Sequence, residues 1–265
     1  SFSNCSSLNH LIIGEKATSI DEFDFKTIGQ INQITLPTTI TAIGYNAFQG
    51  LSSLNQITLP ASIKTIGDNA FQDCSSLKQI IMPASLTSIG DCSFSRCNSL
   101  SQIDLPSSIT TIGTSSFSHC TSIVQILIPS SINSISDDLF HNCSNLKQIS
   151  IPKSVKTIGK DSFNGCSSLR EIEIPSSVSS IEENAFLSCY SLTQIMIPQS
   201  VKSIGKSAFK GCSSLKKITI DPYSMEIEND AFESSLSQCH LIIWSSSLAE
   251  STEQIQTIQF KRFSK

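Results

Sequence analysis

Phenylalanine recurs every 23 residues along this 265-residue chain, at Phe2, Phe25, Phe48, Phe71, Phe94, Phe117, Phe140, Phe163, Phe186, Phe209 and Phe232. Neither the 3.6-residue period of a helix nor the two-residue period of a strand produces that interval. A self-similar period between 20 and 50 residues marks a solenoid, in which each unit buries its apolar side against its neighbours. Dividing 265 by 23 gives about 11.5 coils, so the expectation is one elongated domain of about eleven coils rather than two compact ones.

Aligned on the phenylalanines, the columns take on separate duties. Leu77, Ile80 and Met82 follow the pattern L-x-x-I-x-[L/I/M], and the alternation of Ile80 and Met82 is that of a strand with one buried face. Pro83 follows, in a column with Pro37, Pro60, Pro106, Pro129, Pro152, Pro175 and Pro198. Proline cannot donate to a ladder, so this column should stop each strand. Ser85 and its equivalents carry a short hydroxyl suited to bonding backbone at a bend. Leu86 and Ile89 form a second apolar pair, which predicts a second short extended segment, and Gly90 at its end suits a left-handed backbone. The next polar column reads Asn46, Asn69, Cys92, Ser115, Asp138, Asp161, Asn184, Ser207, Asp230. These are helix N-cap residues, and they predict a single capped helical turn carrying Phe and Cys on one face.

That register also reassigns the cysteines. Of the ten, Cys5, Cys74, Cys97, Cys120, Cys143, Cys166, Cys189 and Cys212 share one column, where earlier units hold Ile28 and Leu51. A position accepting Cys, Ile or Leu calls for a modest apolar side chain, so a ladder of buried, inert thiols is expected rather than disulfides or metal ligands. Cys92 stands apart in a polar column; if any thiol is reactive it is that one, the alternative being an idle surface cysteine.

The full unit, L-x-x-I-x-[L/I]-P-x-[S/T]-[I/V/L]-x-x-I-G-x-x-[A/S]-F-x-x-C-x-x-L, resembles the repeat of the BspA-like leucine-rich repeat family and covers the chain from Phe2 to Ile243. The resemblance implies a leucine-rich repeat solenoid over residues 1–243. It also implies a surface-exposed or secreted adhesion protein of oral bacteria or mucosal protists, one that binds extracellular-matrix proteins or host cells. The register loosens after Ile220, and Trp244, Leu248, Ile255, Ile258 and Phe260 are expected to form a cap over residues 244–265, with a short helix after Ser247.

Function classes narrow accordingly. Net charge is −4 with 15% charged residues, and no Lys/Arg run is dense enough to follow a phosphate backbone, which argues against nucleic acid. There is no apolar run of membrane-spanning length. Phe2 already lies in the repeat column, so the chain reads as a piece of a longer protein, and any membrane association would come through segments outside it. The four histidines fall in different columns with no carboxylate and nucleophile at a recurring spacing, so no catalytic residue, metal ligand or cofactor is assigned.

Binding is assigned to the outward side of the first strand. One outward column reads Gln79, Gln102, Gln125, Gln148, Glu171, Gln194, a near-uniform row able to hydrogen-bond amide to amide along the stack. The other reads Ile81, Asp104, Leu127, Ser150, Glu173, Met196. Repeats hold what packing needs and release what packing ignores, so this second column is where specificity can be written; drift at a tolerant surface is the competing explanation. The expected function is a non-catalytic protein-recognition module, a cell-surface or secreted adhesin fragment whose partner is a host or matrix protein. The alternative is an intracellular repeat scaffold with a structural role.

Overall fold

The computed structural model describes residues 8–21, 30–221, 225–235 and 239–243. They form a leucine-rich repeat solenoid of about nine turns rather than eleven. All but one of the described turns contribute a strand of two to four residues, such as Gln79–Ile81, and each has a two-residue strand such as Ser88–Ile89. Both rows run parallel with a step of one repeat, Gln79 facing Gln102 and Ile80 facing Ile103 in one, Ser88 facing Thr111 and Ile89 facing Ile112 in the other. The expected alternation holds: Gln79 and Ile81 are exposed and Ile80 is buried between them. The proline column ends the first strand as expected, and each proline carbonyl closes the following turn, with Leu86 donating to Pro83 at 3.0 Å. The hydroxyl after it reaches the preceding coil, Ser85 Oγ donating to the Ile63 carbonyl and Ser108 Oγ to that of Leu86, both at 2.6 Å. The cap expected over residues 244–265 lies outside the described residues.

The capped helical turn does not exist: among the described residues there is no helix. The supposed N-cap column is instead left-handed, with φ of 53° at Asn46, 55° at Asn69, 52° at Cys92 and 53° at Asp138. A second left-handed residue follows four places later, at Gly50, Asp73, Arg96, His119, Asn142, Gly165, Ser188 and Gly211. No α-helix of L-residues continues through such positions. Asn and Asp are favoured both at N-caps and in left-handed turns, so their column alone does not separate the two. The bonds explain the choice. Asn69, Phe71 and Asp73 turn their N–H groups along the solenoid axis and donate to Asp91, Ser93 and Ser95 of the next coil at 2.8, 2.7 and 2.9 Å. The turn is thus a third inter-coil ladder, satisfying buried donors that a lone helical turn would leave unpaired.

Gly90 needs a second correction. It is not left-handed; a Cβ there would lie 2.6 Å from the Asp68 nitrogen, so glycine allows two coils to approach closely. Ser136, Glu182 and Glu228 in the same column show that a coil can shift to admit a side chain.

The core is one continuous cluster. Phenylalanine rings stack along its turn side, from Phe71 through Phe232, with centroids 5.1–5.9 Å apart and interplanar angles of 5–17°. The cysteine column packs beside them, buried and free from Cys74 through Cys212. Its role is more than apolar filling: Cys166 Sγ donates to the Phe140 carbonyl at 3.2 Å, and the same bond recurs at each cysteine of the column from Cys74 to Cys212. Where the column ends in Ser235, its hydroxyl donates to Phe209 in the same way. Burial pushes these thiols up, to about 12 at Cys143 and Cys212, leaving almost no thiolate at neutral pH. In the native protein at pH 8, iodoacetamide should therefore label Cys92 and Cys239, which are half-buried, well before the column. Mass spectrometry showing Cys143 modified as fast as Cys92 would contradict this.

One seam interrupts the stack. The first strand row breaks between Gln102–Ile103 and Gln125–Leu127, and the second breaks between the same two coils, at Thr111–Ile112 and Ser134–Ile135. Among the described residues no other pair of neighbouring coils loses both. The turn ladder still crosses the seam, through bonds from Ser115 to Asp137, Phe117 to Leu139 and His119 to His141. Its middle rung is longer there: the Phe117 bond is 3.1 Å, against 2.7–2.9 Å for its equivalents, and the Phe117–Phe140 spacing of 5.9 Å is the longest in the stack. The C-terminal coil of this pair carries two departures from the repeat. Leu139 is buried in a column that otherwise holds Ala or Ser from Ala47 to Ala231, and Ser136 stands in the glycine column. A leucine where neighbours pack alanine must spread the coils.

Candidate functional site

Period-two alternation sends every second residue of the first strand row outward, so the two outward columns form one continuous face. Along the variable column, Ile12, Ile81, Leu127 and Met196 are 68%, 55%, 76% and 58% exposed. Among the described residues the other exposed large apolar side chains are Tyr45, Val124 and Tyr190, each in a different column. Ile12 was missed in the sequence reading although it lies one repeat before Thr35 in the same column.

The face hollows into a groove of about 920 Å³ over its C-terminal half. Eight of the twelve expected residues line it: Gln125, Leu127, Gln148, Ser150, Glu171, Glu173, Gln194 and Met196. The remaining four, Gln79, Ile81, Gln102 and Asp104, are exposed on the same face farther toward the N-terminus. Lys217 and Thr219 also line the groove; both stand in the two outward columns, so the repeat spacing alone points to them. Isoleucines of the inward column, from Ile126 to Ile195, form the floor. The strand ladder skips the coil bearing Glu171 and Glu173, pairing Gln148–Ser150 only backward and Gln194–Met196 only forward. Ile172 and Ile174 of that coil stay buried, so packing rather than pairing keeps it in place.

The glutamine row does not form the amide ladder that its uniformity implied. Among the described residues no hydrogen bond joins these side chains, and the one side-chain amide pair between coils, Gln49 to Gln72, is in the column after phenylalanine. Exposed amides gain little by pairing with each other when water competes for both. The row's side chains therefore face solvent.

Elsewhere the fold brings together two histidines that the sequence separates. His119 and His141 lie across the seam with ring centroids 5.4 Å apart, and His141 Nδ1 is 3.4 Å from Asp138 Oδ1. Burial first, then the charges of His141 and Arg96, lower the His119 pKa. These rings sit on the turn ladder rather than on the strand face. Among the described residues no group of three or more His, Cys, Asp or Glu side chains is placed to hold a metal ion.

Comparison with known proteins places this geometry. The profile of the BspA type leucine rich repeat region matches in six copies, over residues 1–98, 42–159 and 134–264. A leucine-rich repeat protein from Bacteroides ovatus is similar at 33% identity and a TM-score of 0.63, over 71% of this chain and 55% of that one. The chain thus spans about half the length of that protein. The leucine rich repeat protein of T. pallidum is 32% identical over 58% of this chain and 72% of its own, with a TM-score of 0.54. The pneumococcal vaccine antigen PcpA shares the fold at 22% identity and a TM-score of 0.56, over 92% of this chain and 71% of that one. No curated protein matches the chain. A 23-residue unit carried through both strand rows, with family profiles spanning nearly the whole length, makes this chain a member of the BspA-type leucine-rich repeat family.

Proposed function

We propose that this chain is a non-catalytic protein-recognition module that binds a host or extracellular-matrix protein through its strand face, as part of a cell-surface or secreted adhesin. The observation that carries the reading is the concentration, among the described residues, of four of the seven exposed large hydrophobics, Ile12, Ile81, Leu127 and Met196, in one column of one face. Drift at a tolerant surface would scatter them. Extended, regular faces of solenoids are the surfaces on which such proteins bind partners, and apolar side chains spaced among polar ones are the usual anchors of a protein interface. Family membership supports the surface location.

The test is binding of the chain to immobilised matrix proteins and to host cells, compared with Ile81→Lys/Leu127→Lys/Met196→Lys. Binding should fall roughly tenfold or more, the cost of removing central anchors, while the unfolding midpoint stays unchanged because all three side chains face water. Undiminished binding by the triple variant rejects this face.

A further inference from the structure

We infer that the groove receives a protein segment carrying one cationic side chain, best an arginine, between two apolar ones; this rests on the strand face being the binding surface. The order of side chains along the variable column is Leu127, Ser150, Glu173, Met196. At about 4.8 Å per coil, Glu173 stands roughly 10 Å from Leu127 and roughly 5 Å from Met196. Glu171 projects from the same coil on the same side, about 7 Å from Glu173. Two carboxylates therefore face outward between two exposed apolar anchors.

Among the described residues some glutamates are paired within the chain and others are not. On the turn columns, Glu183 and Glu233 are held by Lys160 and Lys210 at 3.0 and 2.7 Å. Among the described residues neither Glu171 nor Glu173 has an ion-pair or hydrogen-bond partner. Two like charges on neighbouring outward positions repel each other, and a cation placed between them removes that repulsion as well as adding attraction. Arg170 stands one column back on the same coil, and Lys147 in the same column one coil earlier. Positive charges this near repel a broad basic surface, which favours a single inserted cation. Lys217 at the C-terminal end of the groove repels a cation there and so fixes where along the trough it sits. A guanidinium, with five donors in a planar fork, can serve both carboxylates at once, whereas an ammonium is a point charge.

The experiment is selection of a random dodecapeptide phage library against the intact chain, followed by anisotropy titration of the selected peptides as synthetic probes. Three proteins are compared: the chain itself, Glu171→Gln/Glu173→Gln, and Leu127→Ser/Met196→Ser. All four side chains changed in the two variants are outward-facing, so unfolding midpoints should agree. The expected result is enrichment of arginine flanked by apolar residues, with affinity about tenfold weaker in each double variant. The salt dependence seen with the wild type should disappear in Glu171→Gln/Glu173→Gln. Peptides without basic enrichment, sensitive to Leu127→Ser/Met196→Ser alone, would overturn the cationic partner while sparing the binding face. Peptides insensitive to both pairs, or no selection above background, would overturn both.

Discussion

Phe186→Ala should lower the free energy of unfolding by about 3–5 kcal/mol, and Phe117→Ala by an amount at or below the lower end of that range. Both rings are fully buried, so the transfer term is the same, and the difference must come from how far each cavity can collapse. Phe186 is clamped between Phe163 and Phe209, with centroids 5.2 and 5.1 Å away and rings within 8° of parallel. The second strand row and the turn ladder hold the coils at their repeat spacing there, so the void stays open. Phe117 borders the seam, 5.9 Å from Phe140, where neither strand row is paired. Its coils can close on a vacancy. In a solenoid each unit answers only to its neighbours, so both losses should appear as urea-midpoint shifts by circular dichroism, with peptide binding at the strand face retained. Equal losses at the two positions would show that the seam has no mechanical consequence.

The same seam separates what was legible in the sequence from what was not. Buried columns are selected by one physical requirement, and their uniformity announced it: phenylalanine for the stack, isoleucine for the inward strand position, proline for the strand end. Strand direction and register followed from the period, since a parallel stack with a fixed step has one solution. The turn did not follow, because Asn, Asp and Ser satisfy both an N-cap and a left-handed residue. The discriminating clue was weaker and lay four places on, where Gly50, Gly165 and Gly211 share a column with Asp73 and Asn142. The cysteine column was read for its volume and not for its donor, although Ser235 at its end was the hint that a hydrogen bond mattered as well.

At the candidate site the legible part was which positions face outward. Eight of the twelve proposed residues fall in one groove because a column of outward positions is a geometric consequence of the repeat. Where the face becomes concave was not legible. Curvature depends on small differences in spacing between coils, and those differences arise from single departures such as a leucine among alanines. The glutamine row erred for another reason: uniformity was taken as a sign of pairing, but an exposed column can be uniform without any side chain touching the next.

Leu139 offers a direct test of what sets that spacing. Leu139→Ala should cost less than about 2 kcal/mol, below the usual range for a buried leucine, because the coil can settle to the spacing its neighbours already keep around Ala and Ser. Hydrogen exchange should then slow at Asn133, whose amide makes no ladder bond, while its equivalents Lys156 and Ser179 donate to the preceding coil at 2.8 Å. The reciprocal change is Ala185→Leu, in the same column two repeats later. Ala185 is fully buried between coils whose second strands pair normally, Thr157 with Ser180 and Ile158 with Ile181. Forcing a leucine into that space should cost about 1–3 kcal/mol by overpacking. It should also open a new seam, seen as faster exchange at Ser179 and Glu182, whose amides donate to Lys156 and Ile158 at 2.8 and 2.9 Å. If Ala185→Leu destabilises the chain but leaves those two amides protected, leucine volume is not what parts the coils. The seam would then have to be traced to Ser136, whose hydroxyl, rather than its amide, takes the Ile112 carbonyl at 2.6 Å.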